Sequence, residues 1–160
     1  MEWIIKKANE IREKYGTDDI EGLAQKLGAE VVEEKLGRII KEAYFKDLKV
    51  IVIDPDLHPQ EKHLIAHALA HHLFHQKIKA NYFLDDKEDF ANRMRVRRKE
   101  REAEVFAAYL LISEDKLKEV LNQEWVKEHP NPIPELAEEF QVSENFMRKR
   151  MFENIRALIY

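Results

Sequence analysis

An α+β fold, with helices at both ends and a small three-stranded antiparallel sheet between them, is predicted by three features of the sequence. The first fifteen residues place their apolar side chains at helical spacing. Residues 30–53 change to short β-branched runs bounded by turn residues, and from Pro59 onward the helical period returns. Length and composition agree with such a domain. The chain has 160 residues, against about 150 for a typical domain. Charged residues make up 36%, above the usual level of about 25%, which suits a heavily solvated helical surface. With 27 basic and 31 acidic side chains the net charge is −4, which excludes a globally basic nucleic-acid binder. The absence of Cys excludes a disulfide framework, a thiolate metal site and a Cys nucleophile. No apolar run approaches membrane-spanning length, and Met1-Glu2-Trp3-Ile4-Ile5-Lys6-Lys7 has no leader-like apolar core, so a soluble, cytoplasmic chain is expected.

The elements follow in order. Trp3, Ile4, Ala8, Ile11 and Tyr15 predict a helix over 2–15, stopped by Gly16. A second begins near Asp18-Asp19, carries Ile20, Leu23, Ala24 and Leu27, and stops at Gly28. Strands are predicted over 30–33, 38–45 and 49–53 with turns at Leu36-Gly37 and Lys46-Asp47, which reads as an antiparallel meander with its last strand best buried. Pro59 then suits the first turn of a helix over about 59–77. A loop over 78–86 is anchored by Tyr82, Phe83 and Leu84, and a long helix, first basic and then apolar, spans about 87–112. Ser113 caps a helix over 114–123. Pro130, Pro132 and Pro134 mark the one linker-like stretch, after which helices over 134–140 and 144–158 close the chain.

Six of the seven His lie between positions 58 and 75. His63, His67, His71 and His75 recur every four residues and so line one slowly drifting stripe of a helix. Two His at that spacing reach toward one point from successive turns, which suits a tetrahedral Zn²⁺; an unmetallated row of rim imidazoles is the plainer alternative. The interleaved Leu64, Ile65, Ala68, Leu69, Leu73 and Phe74 tip the balance, because a buried helix obliges its inward imidazoles to find partners. Glu100 and Glu102 supply a carboxylate on a separate helix, and the small Ala103 lets the two helices approach closely. Two His and a Glu leave the fourth zinc position open, the arrangement of catalytic rather than structural sites.

Five segments together resemble the ImmA/IrrE-type zinc metallopeptidases, which cleave a repressor protein. They are Asp19-Ile20-Glu21-Gly22-Leu23-Ala24-Gln25-Lys26-Leu27-Gly28, Val50-Ile51-Val52-Ile53-Asp54, the run from Leu64 to His75, the run from Glu100 to Leu111, and Glu135-Leu136-Ala137-Glu138-Glu139-Phe140-Gln141-Val142-Ser143. The resemblance implies a zincin-like domain over 1–128 and a helix-turn-helix-like pair over 129–160 packed on it. It implies His67, His71 and Glu100 as zinc ligands; Glu102 on the same helix is a fallback, and Glu104, where the family often has Asp or Asn, is expected to accept a hydrogen bond from a liganding His. The implied substrate is a helix-turn-helix repressor carried by a phage or mobile element.

The departure from the family pattern is chemical. Its H-E-x-x-H motif uses the Glu as general base, taking a proton from the water on the metal and passing it to the leaving amine. Here that position is Ala68, which has no basic lone pair. Losing such a base costs about 10²–10⁴-fold in rate, so this chain is expected to be inactive or nearly so. Either it is a non-catalytic relative that binds a repressor or DNA, or a Glu→Ala replacement has removed turnover while keeping the ligands; the intact surroundings favour the replacement.

Two charged features carry weaker signals. Arg93, Arg95, Arg97, Arg98, Lys99 and Arg101 read as a solvated helix face balanced by Glu88, Asp89, Glu102 and Glu104, rather than as a nucleic-acid patch. Residues 134–158 have helix-turn-helix spacing with Asn145, Arg148 and Lys149 on the second helix, yet acidic residues dominate the first, so direct DNA binding is the less favoured role and substrate holding a third.

Overall fold

The structure, a computed structural model, describes residues 1–75 and 90–159, with side chains over 1–75 and 94–153. The loop expected over 78–86, with Tyr82, Phe83 and Leu84, lies outside the described residues, as do Glu88 and Asp89. Among the described residues, eight α-helices surround a three-stranded sheet. α1 (Glu2–Tyr15) buries Ile4 and Ala8, while Trp3 stays half exposed with its ring edge-on to Phe74 at 5.2 Å. α2 (Ile20–Lys26) begins where the Asp19 carboxylate accepts from the Gly22 N–H. It ends at Gly28, whose φ of 91° turns the chain into the sheet and lets the Ala29 N–H reach the Ala24 carbonyl.

The sheet corrects one expectation. β1 (Glu30–Glu33), β2 (Glu42–Phe45) and β3 (Val50–Ile53) lie in the order β1-β3-β2, with β3 antiparallel to β2 and parallel to β1. The sheet is mixed, not an antiparallel meander. Burial explains the order. β3 buries Ile51, Val52 and Ile53 and takes the centre, where both its edges are hydrogen-bonded. β1 exposes Glu30, Val32 and Glu33 and suits an edge. The expected strand over 38–45 begins only at Glu42, and Ile39 is 89% exposed.

A short 3₁₀ helix (Pro59–Glu61) leads into α3 (His63–Phe74), which lies against β2, α2 and the long α4 (Phe90–Leu111). The helix expected over 59–77 is therefore split, and its α-helical part ends with His75 as the C-cap. Ser113 caps α5 (Glu114–Leu121) by accepting from the Lys116 N–H. A five-residue helix, α6 (Glu124–Glu128), is too short to show a helical period in sequence. α7 (Ile133–Glu139) and α8 (Glu144–Ile159) form the C-terminal pair, with the Ser143 hydroxyl accepting from the Phe146 N–H. Arg150 fastens this pair to the body. Fully buried, it donates to the Ile112 carbonyl at 3.0 Å and to Glu114 at 2.8 Å, and its guanidinium lies 3.9 Å from the Tyr109 ring centre.

Candidate metal centre

The buried stripe of α3 delivers His67 and His71 from successive turns, and α4 delivers Glu100 opposite them. Small residues, Ala66, Ala68 and Ala70 on α3 and Ala103 and Ala107 on α4, are buried in the common core and permit that approach. One ligand atom from each of His67, His71 and Glu100 lies within 4.8 Å of the others. His67 Nε2 is 3.0 Å from Glu100 Oε2, and His71 Nε2 is 3.2 Å from Glu100 Oε1. That second pair does not align as a hydrogen bond, although Glu100 Oε1 is buried. Such an atom calls for a partner, and a cation between two imidazole nitrogens and a carboxylate oxygen would supply it. The residues present therefore fit a divalent metal.

The outer imidazole nitrogens are held as well. His67 Nδ1 donates to Glu42 Oε1 at 3.2 Å across from β2. His71 Nδ1 is 2.8 Å from His75 Nδ1, and His75 Nε2 is 2.9 Å from Glu102 Oε2. The Glu102 carboxylate accepts, so His75 carries a proton on Nε2. A neutral His75 then accepts at Nδ1, His71 donates from its own Nδ1, and the lone pair of His71 Nε2 faces the cluster. Burial lowers the pKa of both His71 and His75 despite the neighbouring carboxylates, which favours these neutral forms. His67 behaves oppositely. Burial works against its charged form, but contact with Glu100 and Glu42 outweighs that and pushes its pKa up to about 10. Burial likewise opposes ionisation of Glu100, and the adjacent His67 and His71 outweigh it, holding the carboxyl well below the usual range.

Of the residues singled out by sequence, His67, His71 and Glu100 come together. Ala68 lies between the two His on α3 and is fully buried. Glu102 is not in the cluster but backs His75 and pairs with Arg98 at 3.1 Å. Glu104 departs from its expected role. It meets Lys149 at 3.5 Å and Arg101 at 3.9 Å instead of a liganding His, because Glu42 and His75 already hold those nitrogens. Sequence reasoning missed Glu42. Its signal was alternation, since Glu42 shares a strand face with the buried Tyr44 and is thus an acid turned toward the core. His72 turns toward α2 and β2 instead of the cluster. It donates from Nε2 to the Leu27 carbonyl at 2.8 Å and lies 2.5 Å from the Tyr44 hydroxyl through Nδ1.

The Peptidase_M78 family model, described as the IrrE N-terminal-like domain, matches residues 24–152. The chain belongs to this family. The matched stretch includes Glu42, the α3 histidines, Glu100 and Glu102. A solved structure of a Mycobacterium tuberculosis transcriptional regulator is similar in fold, with a TM-score of 0.69 at 21% identity. The likeness covers 94% of this chain and 46% of that one, so the chain spans about half its length. No curated protein matches. Among the described residues no helix is long and apolar enough to cross a membrane.

Proposed function

We propose that this chain is a zinc-binding protein of the ImmA/IrrE metallopeptidase type, built to hold and cleave a helix-turn-helix repressor, and that with Ala68 it binds without cutting. The observation that carries the reading is the cluster of His67, His71 and Glu100 with both outer imidazole nitrogens tied down. Those three residues would hold Zn²⁺, and bound zinc supplies Lewis acidity toward a carbonyl and acidity to a water. The protein's own share is positional. Glu42 and His75 orient the imidazoles, and α3 and α4 fix the spacing of the ligands. What the chain lacks is a proton carrier at position 68, where a methyl group stands.

The test is Ala68→Glu, loaded with Zn²⁺ and mixed with its cognate helix-turn-helix repressor. The expected result is a discrete cleavage of the repressor, at a rate at least about 10²-fold above that of the chain with Ala68. A zinc-loaded Ala68→Glu variant that leaves the repressor intact would sink the peptidase reading and leave a non-catalytic zinc-binding regulator.

A further inference from the structure

The C-terminal helix packs beside the histidine stripe of α3. The turn between α7 and α8 is joined to the 3₁₀ helix by the Ser143 N–H donating to the Gln60 carbonyl at 3.0 Å. Phe146 stacks on His63, one turn before His67, with ring centres 4.7 Å apart. Between α3, α4 and α8 a cleft of about 390 Å³ opens beside His67 and Glu42. Its apolar lining is Leu64, Ala107, Ala108, Phe146 and Phe152. Charges on its walls are matched across the cleft: Arg101 on α4 with Glu153 on α8 at 2.5 Å, and Glu104 on α4 with Lys149 on α8 at 3.5 Å. Paired in this way, they leave the apolar surface to choose the occupant. The cleft is near the lower end of the range of about 300–1,000 Å³ for small-ligand sites, so it suits one side chain better than a folded segment.

Phe152 is the informative residue. It is 60% exposed, a large aromatic ring at the mouth of a cleft that reaches a proposed metal ligand. The same outer side of α8 carries Asn145, Arg148 and Lys149, the residues that helix-turn-helix spacing would aim at DNA. Here Arg148 pairs with Glu144 at 3.4 Å and Lys149 with Glu104, so both cations are already engaged by carboxylates.

We propose that α8 is a substrate-binding element: Phe146 and Phe152, with Leu64, Ala107 and Ala108, form a pocket for a branched aliphatic or aromatic side chain next to the substrate's scissile bond. This rests on the zinc reading above and names the chemistry that the site selects.

The test needs neither a known substrate nor turnover. Two peptide-like hydroxamates, identical except for an isobutyl group or a hydrogen beside the metal-binding end, are titrated into the zinc-loaded chain as it stands. The isobutyl compound is expected to bind about 10- to 100-fold more tightly, the gain from burying such a group. Phe152→Ser, a change at the exposed mouth of the cleft, should erode that ratio severalfold. Equal affinity of the two compounds for a zinc-loaded chain would overturn the pocket while leaving the zinc site standing. A chain that takes up no zinc would overturn both. Duplex-DNA binding that Lys149→Ala abolishes, with the hydroxamate ratio unmoved by Phe152→Ser, would assign the face to DNA and overturn the proposal.

Discussion

His67 is gripped from both sides, by Glu100 at Nε2 and by Glu42 at Nδ1, and the second contact decides how well the first can serve a metal. Replacing Glu42 by Gln keeps the shape but removes the anionic acceptor. Zinc affinity should fall about 10- to 100-fold, read by competition with a chromophoric chelator. An unchanged affinity would mean that Glu42 is a bystander. His63 offers a pH test. Burial pushes its pKa down to about 4, whereas an unfolded chain titrates near 6.5. Between those values the unfolded state binds more protons, so stability is complete above about pH 6.5 and falls as the pH drops toward about 4. The loss is on the order of 3 kcal/mol. His63→Leu should flatten that slope in urea melts across the same window, and an equal slope in both proteins would refute the assignment. At this scale the pairing of His67 with His71 was legible, because i, i+4 spacing on a buried helix is a strong pattern. Their supports were not. Glu42 comes from a distant strand, and the part played by His75 depends on a proton placement that only the geometry of Glu102 fixes.

Arg150 is the element-scale counterpart, a buried cation joining α8 to the end of α4 and the start of α5. Glu114 keeps contact with water, so the main loss on removing Arg150 is the partner of the Ile112 carbonyl and the packing on Tyr109. Arg150→Ala should therefore cost about 1–3 kcal/mol in equilibrium unfolding. Arg150→Lys should recover only part of that, because an ammonium cannot reproduce the planar fork over Tyr109. A loss below about 1 kcal/mol would show that the helix pair is held by its apolar contacts alone. The helices were legible in sequence since caps and period agree: Asp19, Ser113 and Ser143 all cap where the pattern begins. Strand positions were legible too, but their order was not. Alternation marks a strand without naming its neighbour, and only the fuller burial of β3 sends it to the centre, between a parallel and an antiparallel partner.

Over the whole molecule, the sheet and α3 hold one side of the centre, α4 supplies the carboxylate, and α8 closes the adjoining cleft. Such a site is assembled only when the chain is folded, so under the proposed function metal binding and folding would be linked. Zinc at about a hundred times its dissociation constant should raise stability by about 2.7 kcal/mol, visible as a higher midpoint in thermal melts. The metal centre is tested most directly by the zinc content of the chain after equilibration with Zn²⁺ and removal of excess, measured by elemental analysis beside His67→Ala and Glu100→Ala. The expected result is about one zinc per chain, lost in both variants. An unsubstituted chain without zinc, or variants that retain it, would contradict the metal centre and leave the histidine stripe as part of the packing.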